Sequence, residues 1–263
     1  LPLTHPLCND LLYAIERFER FVAQLQDSRP SVLLFAEGTS PQDALAALAA
    51  RALGIPTVRI QNGRAGVLHC GYRNMPFDVM LCWGEGFVER YRTASPAPRY
   101  VVTGNPFIDY APSACKEEVP PTVALFTQPV CATVSGADYA LLLELAEGLL
   151  TMAPDVRVLV RRHPADRDPR FLLRAEASQG RILMADADTH TLDQVFAAAQ
   201  CATGFFSTAL SEAVARGVVP VMIRTGAQHA VFPHPDEEGA ALLAHDLGSA
   251  LAHIDDVVRK RPS

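Results

Sequence analysis

Residues 31–63 read SVLLFAEGTSPQDALAALAARALGIPTVRIQNG, and each break in this stretch marks a change of element. The apolar run 31–37 predicts a buried strand, preceded by a helix over residues 9–27. Ser40-Pro41-Gln42-Asp43 predicts a helix start: the serine caps, the proline suits the first turn and Asp43 completes a capping box. Ala44, Leu45, Ala47, Leu48, Ala52 and Leu53 follow at helical spacing until Gly54 stops the helix. Residues 56–60 predict a second strand. A strand, a crossover helix and a strand on short connections form a right-handed unit with parallel strands.

Outward from this unit the same alternation continues. Residues 77–83 predict a third strand, 84–91 a short helix and 99–103 a fourth strand. Residues 111–121 (APSACKEEVPP) carry proline, alanine and charge without a period, and read as a linker. The alternation then restarts. Strands are expected at 122–127, 156–161, 181–185, 201–206 and 218–224, and helices at 137–152, 167–178, 192–199 and 208–216. The tail 237–258 is expected to be helical. The expected fold class is α/β: two Rossmann-like parallel-sheet domains facing across a cleft. The first covers 1–110 and the second 122–263, with 111–121 between them.

The chain has 263 residues, 49% of them hydrophobic and 20% charged, a globular composition. Its 23 basic and 29 acidic residues leave a formal charge of −6. That argues against a general electrostatic binder of nucleic acid, while leaving room for a local basic pocket. Six cysteines (Cys8, Cys70, Cys82, Cys115, Cys131 and Cys201) form no CxxC pair and no zinc spacing with histidine. They read as reduced, small core residues. No signal peptide is visible, and the most apolar stretch, 139–150, is interrupted by Glu144 and Glu147. The chain starts on leucine, and only four strands precede the linker, so an N-terminal portion of the first domain is expected to be absent.

Ligands of open parallel sheets bind beyond the carboxyl ends of the strands. Four such places hold chemistry. Arg161-Arg162-His163-Pro164 follows the strand at 156–160 as a cationic cluster suited to a phosphate or carboxylate; the alternative is a solvated strand end. At 204–213 (GFFSTALSEA) a strand runs into a helix start carrying Ser207 and Thr208, with Glu212 one turn on. Helix N-termini favour anions, and the same residues equally suit plain N-capping. Gln61-Asn62-Gly63 ends the strand at 56–60 and suits close approach to a ligand or an ordinary turn. Glu37 and Asp109 are carboxylates near strand ends of the first sheet, each a candidate general base or nucleophile. Glu37 also suits a helix-dipole partner, and Asp109 a linker residue.

Together these places resemble the GT-B class of nucleotide-sugar enzymes, and within it the glycosyltransferases of bacterial surface-polysaccharide biosynthesis. Residues 55–63 (IPTVRIQNG) look like the strand-plus-QHG segment of that group. Trp83-Gly84-Glu85 and Val102-Thr103-Gly104-Asn105-Pro106 follow in the expected order. Arg162-His163-Pro164 looks like the HP motif, and 207–213 like the serine motif leading into an EA helix. The chain departs from the pattern at Asn62, where histidine is usual, and at Ala36, where a second acidic residue is usual. In CMP-Kdo and CMP-sialic acid transferases of this kind the HP and serine motifs hold the donor's CMP.

The resemblance implies that His163, Ser207 and Thr208 bind donor phosphate and Glu212 the ribose. Arg161 or Arg162 would neutralise leaving-group charge, with Gln61 and Asn62 also in the donor-binding set. Glu37 is the candidate base and Asp109 a second carboxylate. It further implies transfer of a sugar, Kdo- or sialic-acid-like, from a CMP- or UDP-linked donor to a glycan or lipid-linked acceptor in lipopolysaccharide or capsule synthesis. No obligatory cofactor or metal and no nucleic acid is expected. The expected place is the cytoplasm, with peripheral association at the inner face of the membrane. The UDP-GlcNAc 2-epimerases share the fold and a similar GN…D segment, and give the first alternative, beside nucleotide-sugar hydrolysis. A non-catalytic nucleotide-binding fragment is the second.

Overall fold

The computed structural model describes residues 6–63, 70–106, 120–131, 133–225 and 239–259. The chain divides into two units, Leu1–Phe107 and Ile108–Ser263. Residues 107–119, which include Asp109 and most of the expected linker, lie outside the described residues.

The first unit carries a four-stranded sheet in the order β1 (Leu33–Phe35), β2 (Thr57–Ile60), β3 (Val79–Cys82), β4 (Arg99–Val102). All its pairings are parallel. Helix α1 (Pro6–Ser28) packs on α2 (Pro41–Ala52), whose Ala46, Ala47, Ala49 and Ala50 are buried and allow close approach. The start of α2 is fixed as its sequence predicts: Ser40 Oγ accepts from Asp43 N at 3.1 Å, and Asp43 Oδ2 accepts from Ser40 N at 3.3 Å. The strand expected at 31–37 is shorter and only partly buried, since Leu34 is 59% exposed. At the amino end of the sheet, Asp78 Oδ2 accepts from both N and Oγ1 of Thr57 at 2.8 Å, locking β2 to the approach of β3. Helix α3 (Glu85–Ala94) closes the core, with Val88 and Tyr91 against Phe35, Met80 and Cys82.

The second unit is a six-stranded, wholly parallel sheet in the order β10-β9-β8-β5-β6-β7. Its strands are β5 (Thr122–Phe126), β6 (Arg157–Arg161), β7 (Ile182–Met184), β8 (Cys201–Gly204), β9 (Val219–Ile223) and β10 (Leu242–Ala244). Alternate residues serve opposite faces. Val123, Leu125, Val158 and Val160 meet α4 (Gly136–Met152), α5 (Arg170–Ala177) and α8 (Leu247–Arg259). Ala124, Phe126, Leu159 and Met222 meet α6 (Leu192–Ala198) and α7 (Thr208–Ala215). Both faces are therefore covered, and the strands read as continuous apolar runs.

The tail differs from expectation. Residues 242–244 pair as a strand beside β9, and the helix begins only at Leu247, after Asp246 Oδ1 accepts from Ser249 N at 2.7 Å. Of the cysteines, Cys82 and Cys201 are core residues as expected, but Cys131 is exposed and Cys8 half-buried. Among the described residues no helix is long and apolar enough to cross a membrane.

Candidate functional site

In the second sheet, the chain leaves β5 for β6 on one side and later returns to place β8 on the other. The strand order thus reverses between β5 and β8, and a parallel sheet opens a crevice at the carboxyl ends of such a pair. The β5–β8 register ends on the pair Phe126 and Gly204. A side-chain Cβ at Gly204 would lie 2.7 Å from the Phe126 carbonyl oxygen, so only glycine lets the two strand ends stay this close.

Three of the residues singled out in the sequence stand on this edge. His163 follows β6 and is exposed. Its Nδ1 accepts from the backbone N–H of Ala165 at 3.1 Å. A neutral imidazole bonded this way carries its proton on Nε2, which is then a donor. Ser207 is the N-cap of α7, with its Oγ accepting from Ala209 N at 3.3 Å, and Thr208 opens the helix. The positive end of the α7 dipole therefore faces the same edge as the histidine turn.

Glu212 lies one turn into α7 and is half-buried. Burial raises its pKa; Arg216 opposes the shift and Asp193 adds to it. Arg216 is itself claimed by Asp193, to which its Nε donates at 2.6 Å. A carboxyl raised in the folded state keeps its proton there while the unfolded chain releases it. The fold therefore loses stability as pH rises from the ordinary carboxylate range through the folded value. The Glu212→Gln variant is expected to melt higher than wild type near neutral pH and to match it near pH 4, read by scanning calorimetry. A variant no more stable at neutral pH would show that Arg216 already neutralises the carboxylate.

The two arginines ahead of His163 are not the open cationic cluster the sequence suggests. Arg161 Nη1 donates to the carbonyls of Ala185 and His190 at 2.8 and 2.6 Å. Arg162 grips Asp186 with Nε at 3.0 Å and with Nη2. The side-chain bond to Arg162 holds the Asp186 carboxyl below the usual range, against the opposing effect of burial. Residues 185–190, which turn after β7, thus brace both arginines.

Sequence reading missed the group beneath the histidine. Asp166 is 3% exposed. Its Oδ2 accepts from Thr127 Oγ1 at 2.5 Å and Tyr139 OH at 3.1 Å, and its Oδ1 from Asp168 N at 3.0 Å. Thr127 Oγ1 in turn accepts from His163 N at 3.2 Å. Burial first, and the Asp166 charge second, push the Tyr139 phenol well above its ordinary pKa, so it remains a donor. The readable signals were a threonine directly after β5 and an aspartate three residues after His163.

In the first unit, Glu37 is exposed just past β1, its Oε1 accepting from Thr39 Oγ1 at 3.1 Å. Gln61, expected to face a ligand, is instead fully buried. Its Nε2 donates to Gly63 O at 3.1 Å and its Oε1 accepts from Trp83 N at 2.9 Å, a bracket between the ends of β2 and β3. Asn62 beside it is exposed. Asp109 lies outside the described residues. Among those described, no group of three or more His, Cys, Asp or Glu side chains is placed to hold a metal ion.

No family model matches the chain, and no curated protein does. Solved structures do match. A UDP-GlcNAc 2-epimerase from Neisseria meningitidis bound to UDP-GlcNAc superposes with a TM-score of 0.66 at 12% identity, over 94% of this chain and 73% of that one. The Methanocaldococcus jannaschii UDP-GlcNAc 2-epimerase in complex with UDP-GlcNAc and UDP gives 0.63 at 14%, over 94% and 74%. The lipopolysaccharide outer core galactosyltransferase WaaB, in its apo form, gives 0.59 at 15%, over 95% and 72%. At such identities the likeness is one of fold. The chain has the α/β fold of these proteins, two Rossmann-like parallel-sheet units of the GT-B type.

Proposed function

We propose that this protein is a glycosyltransferase that takes a sugar from a nucleotide donor to a glycan or lipid-linked acceptor, and that the carboxyl edge of β5, β6 and β8 is its donor site. The observation that carries this reading is the pairing, at the strand-order reversal, of an exposed imidazole whose Nδ1 is already occupied with the N-terminus of α7. His163 Nε2–H, the Ser207 and Thr208 hydroxyls and the helix dipole would hold the donor's phosphates. As the glycosidic C–O bond breaks, the same donors stabilise the charge gathering on the leaving phosphate. Glu212 would accept from the ribose. Arg161 and Arg162 would act from behind, shaping the turn and contributing positive potential. In the first unit, Glu37 or Asp109 would take the proton of the attacking acceptor hydroxyl. UDP is the preferred nucleotide, because UDP and UDP-GlcNAc occupy related folds; a CMP-linked Kdo- or sialic-acid-like donor is the alternative.

Ligand binding to the native state raises its melting temperature. A nucleotide at about a hundredfold its Kd adds about 2.7 kcal/mol, or roughly 5 °C for a chain of this size. UDP, CMP, GDP and CDP are to be compared by thermal shift. One of them is expected to give such a shift, and His163→Ala to weaken that nucleotide's binding by roughly tenfold or more. Unchanged binding in H163A would remove the core of the proposal.

A second reading is favoured by the epimerases among the similar folds: the enzyme inverts or hydrolyses the nucleotide sugar itself. Incubating UDP-GlcNAc without acceptor and following the sugar protons by NMR separates the two. Epimerised or released sugar supports the second; an unchanged donor that reacts only with acceptor supports the first.

A further inference from the structure

The bonds around Asp166 have a direction. Thr127 Oγ1 has a single proton, and it points to Asp166 Oδ2. Its oxygen is thereby left as an acceptor, and it takes the N–H of His163. On the other side, Asp166 Oδ1 takes the N–H of Asp168, and Asp166 N donates to His163 O at 2.8 Å. One buried carboxylate therefore pins both ends of the turn after β6. Inside that turn, the Ala165 N–H is aimed at His163 Nδ1. Tyr139, donating from α4, and the Asp168–Arg170 pair, whose guanidinium lies 4.7 Å over the Tyr139 ring, keep the carboxylate in place.

We infer that Asp166 and Thr127 are positioning residues that hold the His163 imidazole in its Nε2–H form, so that the ring always presents a donor to the bound phosphate. The phosphate half of this statement rests on the donor-site reading above; the tautomer half stands on the hydrogen bonds alone.

The two halves are tested separately. Nitrogen-15 NMR of the imidazoles near pH 9, where neutral rings prevail, reports the tautomer directly; the His163 signals are assigned by their absence from His163→Gln. Wild type is expected to show a pyrrole-type Nε2 and a pyridine-type Nδ1. Thr127→Val and Asp166→Asn are expected to show a mixture of tautomers, and Thr127→Ser to restore the single form. UDP and CMP titrations by calorimetry are then expected to show affinity reduced about tenfold in T127V and restored to within about twofold in T127S. An Nδ1–H tautomer in wild type overturns the proposal whatever the variants do. So does a T127V protein with a single Nε2–H form. If wild type holds the Nε2–H form but binds none of UDP, CMP, GDP and CDP, the donor-site reading fails while the positioning stands. If T127V loses the tautomer but keeps its affinity, the link from tautomer to phosphate is broken.

Discussion

Gly204→Ala is expected to destabilise the second unit by about 3 kcal/mol or more, with the urea midpoint as the measure. The added Cβ would sit 2.7 Å from the Phe126 carbonyl oxygen, well inside van der Waals contact. The neighbour is backbone, so no side chain can swing away to relieve the clash. The two strand ends must part, and both are central: β5 and β8 are buried throughout and carry the core on both faces. Gly204 also sits at φ +157°, a region open in practice to glycine alone. Strain and clash act at the same point and add. The damage falls at the mouth of the proposed donor site, since Phe205, Phe206 and Ser207 follow this residue directly. Nucleotide affinity is therefore expected to fall further than stability alone explains. A loss below about 1 kcal/mol would mean that β8 slides on β5 without penalty, and that the close approach is incidental.

Ser40 and Asp43 gave the start of α2 correctly because a capping box is local: every partner lies within three residues. The expected strands are all present, trimmed at most of their ends, because short apolar runs between turn residues are a local signal even though their pairing is not. The tail is helical from Leu247 as expected, but its earlier part is not, although Ala240-Ala241-Leu242-Leu243-Ala244 consists of strong helix formers. Pairing with Val221, Met222 and Ile223, some twenty residues away, overrides that propensity. The site shows the same division. The placement of Ser207 and Thr208 at a helix start and of His163 past a strand end was legible, since strand ends and helix starts can be counted along the chain. The role of Arg162 was not, because Asp186 reaches it only once β7 has paired with β6. Gln61 was misread likewise: both ends of its amide are taken up by the turn at Gly63 and by Trp83, which β3 delivers. Asp166 does not stand out as a hub in the sequence because two of its donors, Thr127 just past β5 and Tyr139 on α4, lie far off along the chain.

Arg59→Ala is expected to cost the first unit about 3–5 kcal/mol, through a cavity and through lost hydrogen bonds together. Arg59 is fully buried on β2. Burial pulls its pKa below the ordinary value, and its charge is held by carbonyls and rings. Nε donates to Glu37 O at 2.8 Å and Nη1 to Gly71 O at 3.0 Å, while the guanidinium lies 4.3 Å over the Tyr72 ring. Gly38, at φ +69°, packs so closely that a Cβ there would lie 2.8 Å from Arg59 Cδ. Arg59→Met separates the contributions, because it keeps most of the volume and removes the donors. About 2 kcal/mol of loss in R59M would assign the remainder of the R59A loss to packing. A fully stable R59M would show that burying the charge cancels what its bonds contribute. The functional readout is sharper still. The bond to Glu37 O fixes the turn that carries the Glu37 carboxylate, whereas His163 and Ser207 belong to the other unit. If Glu37 is the base, R59M should lower kcat for sugar transfer while the Kd for nucleotide stays near wild type. Equal losses in both, or neither, would place the proton-accepting group elsewhere and leave Arg59 a residue of the fold alone.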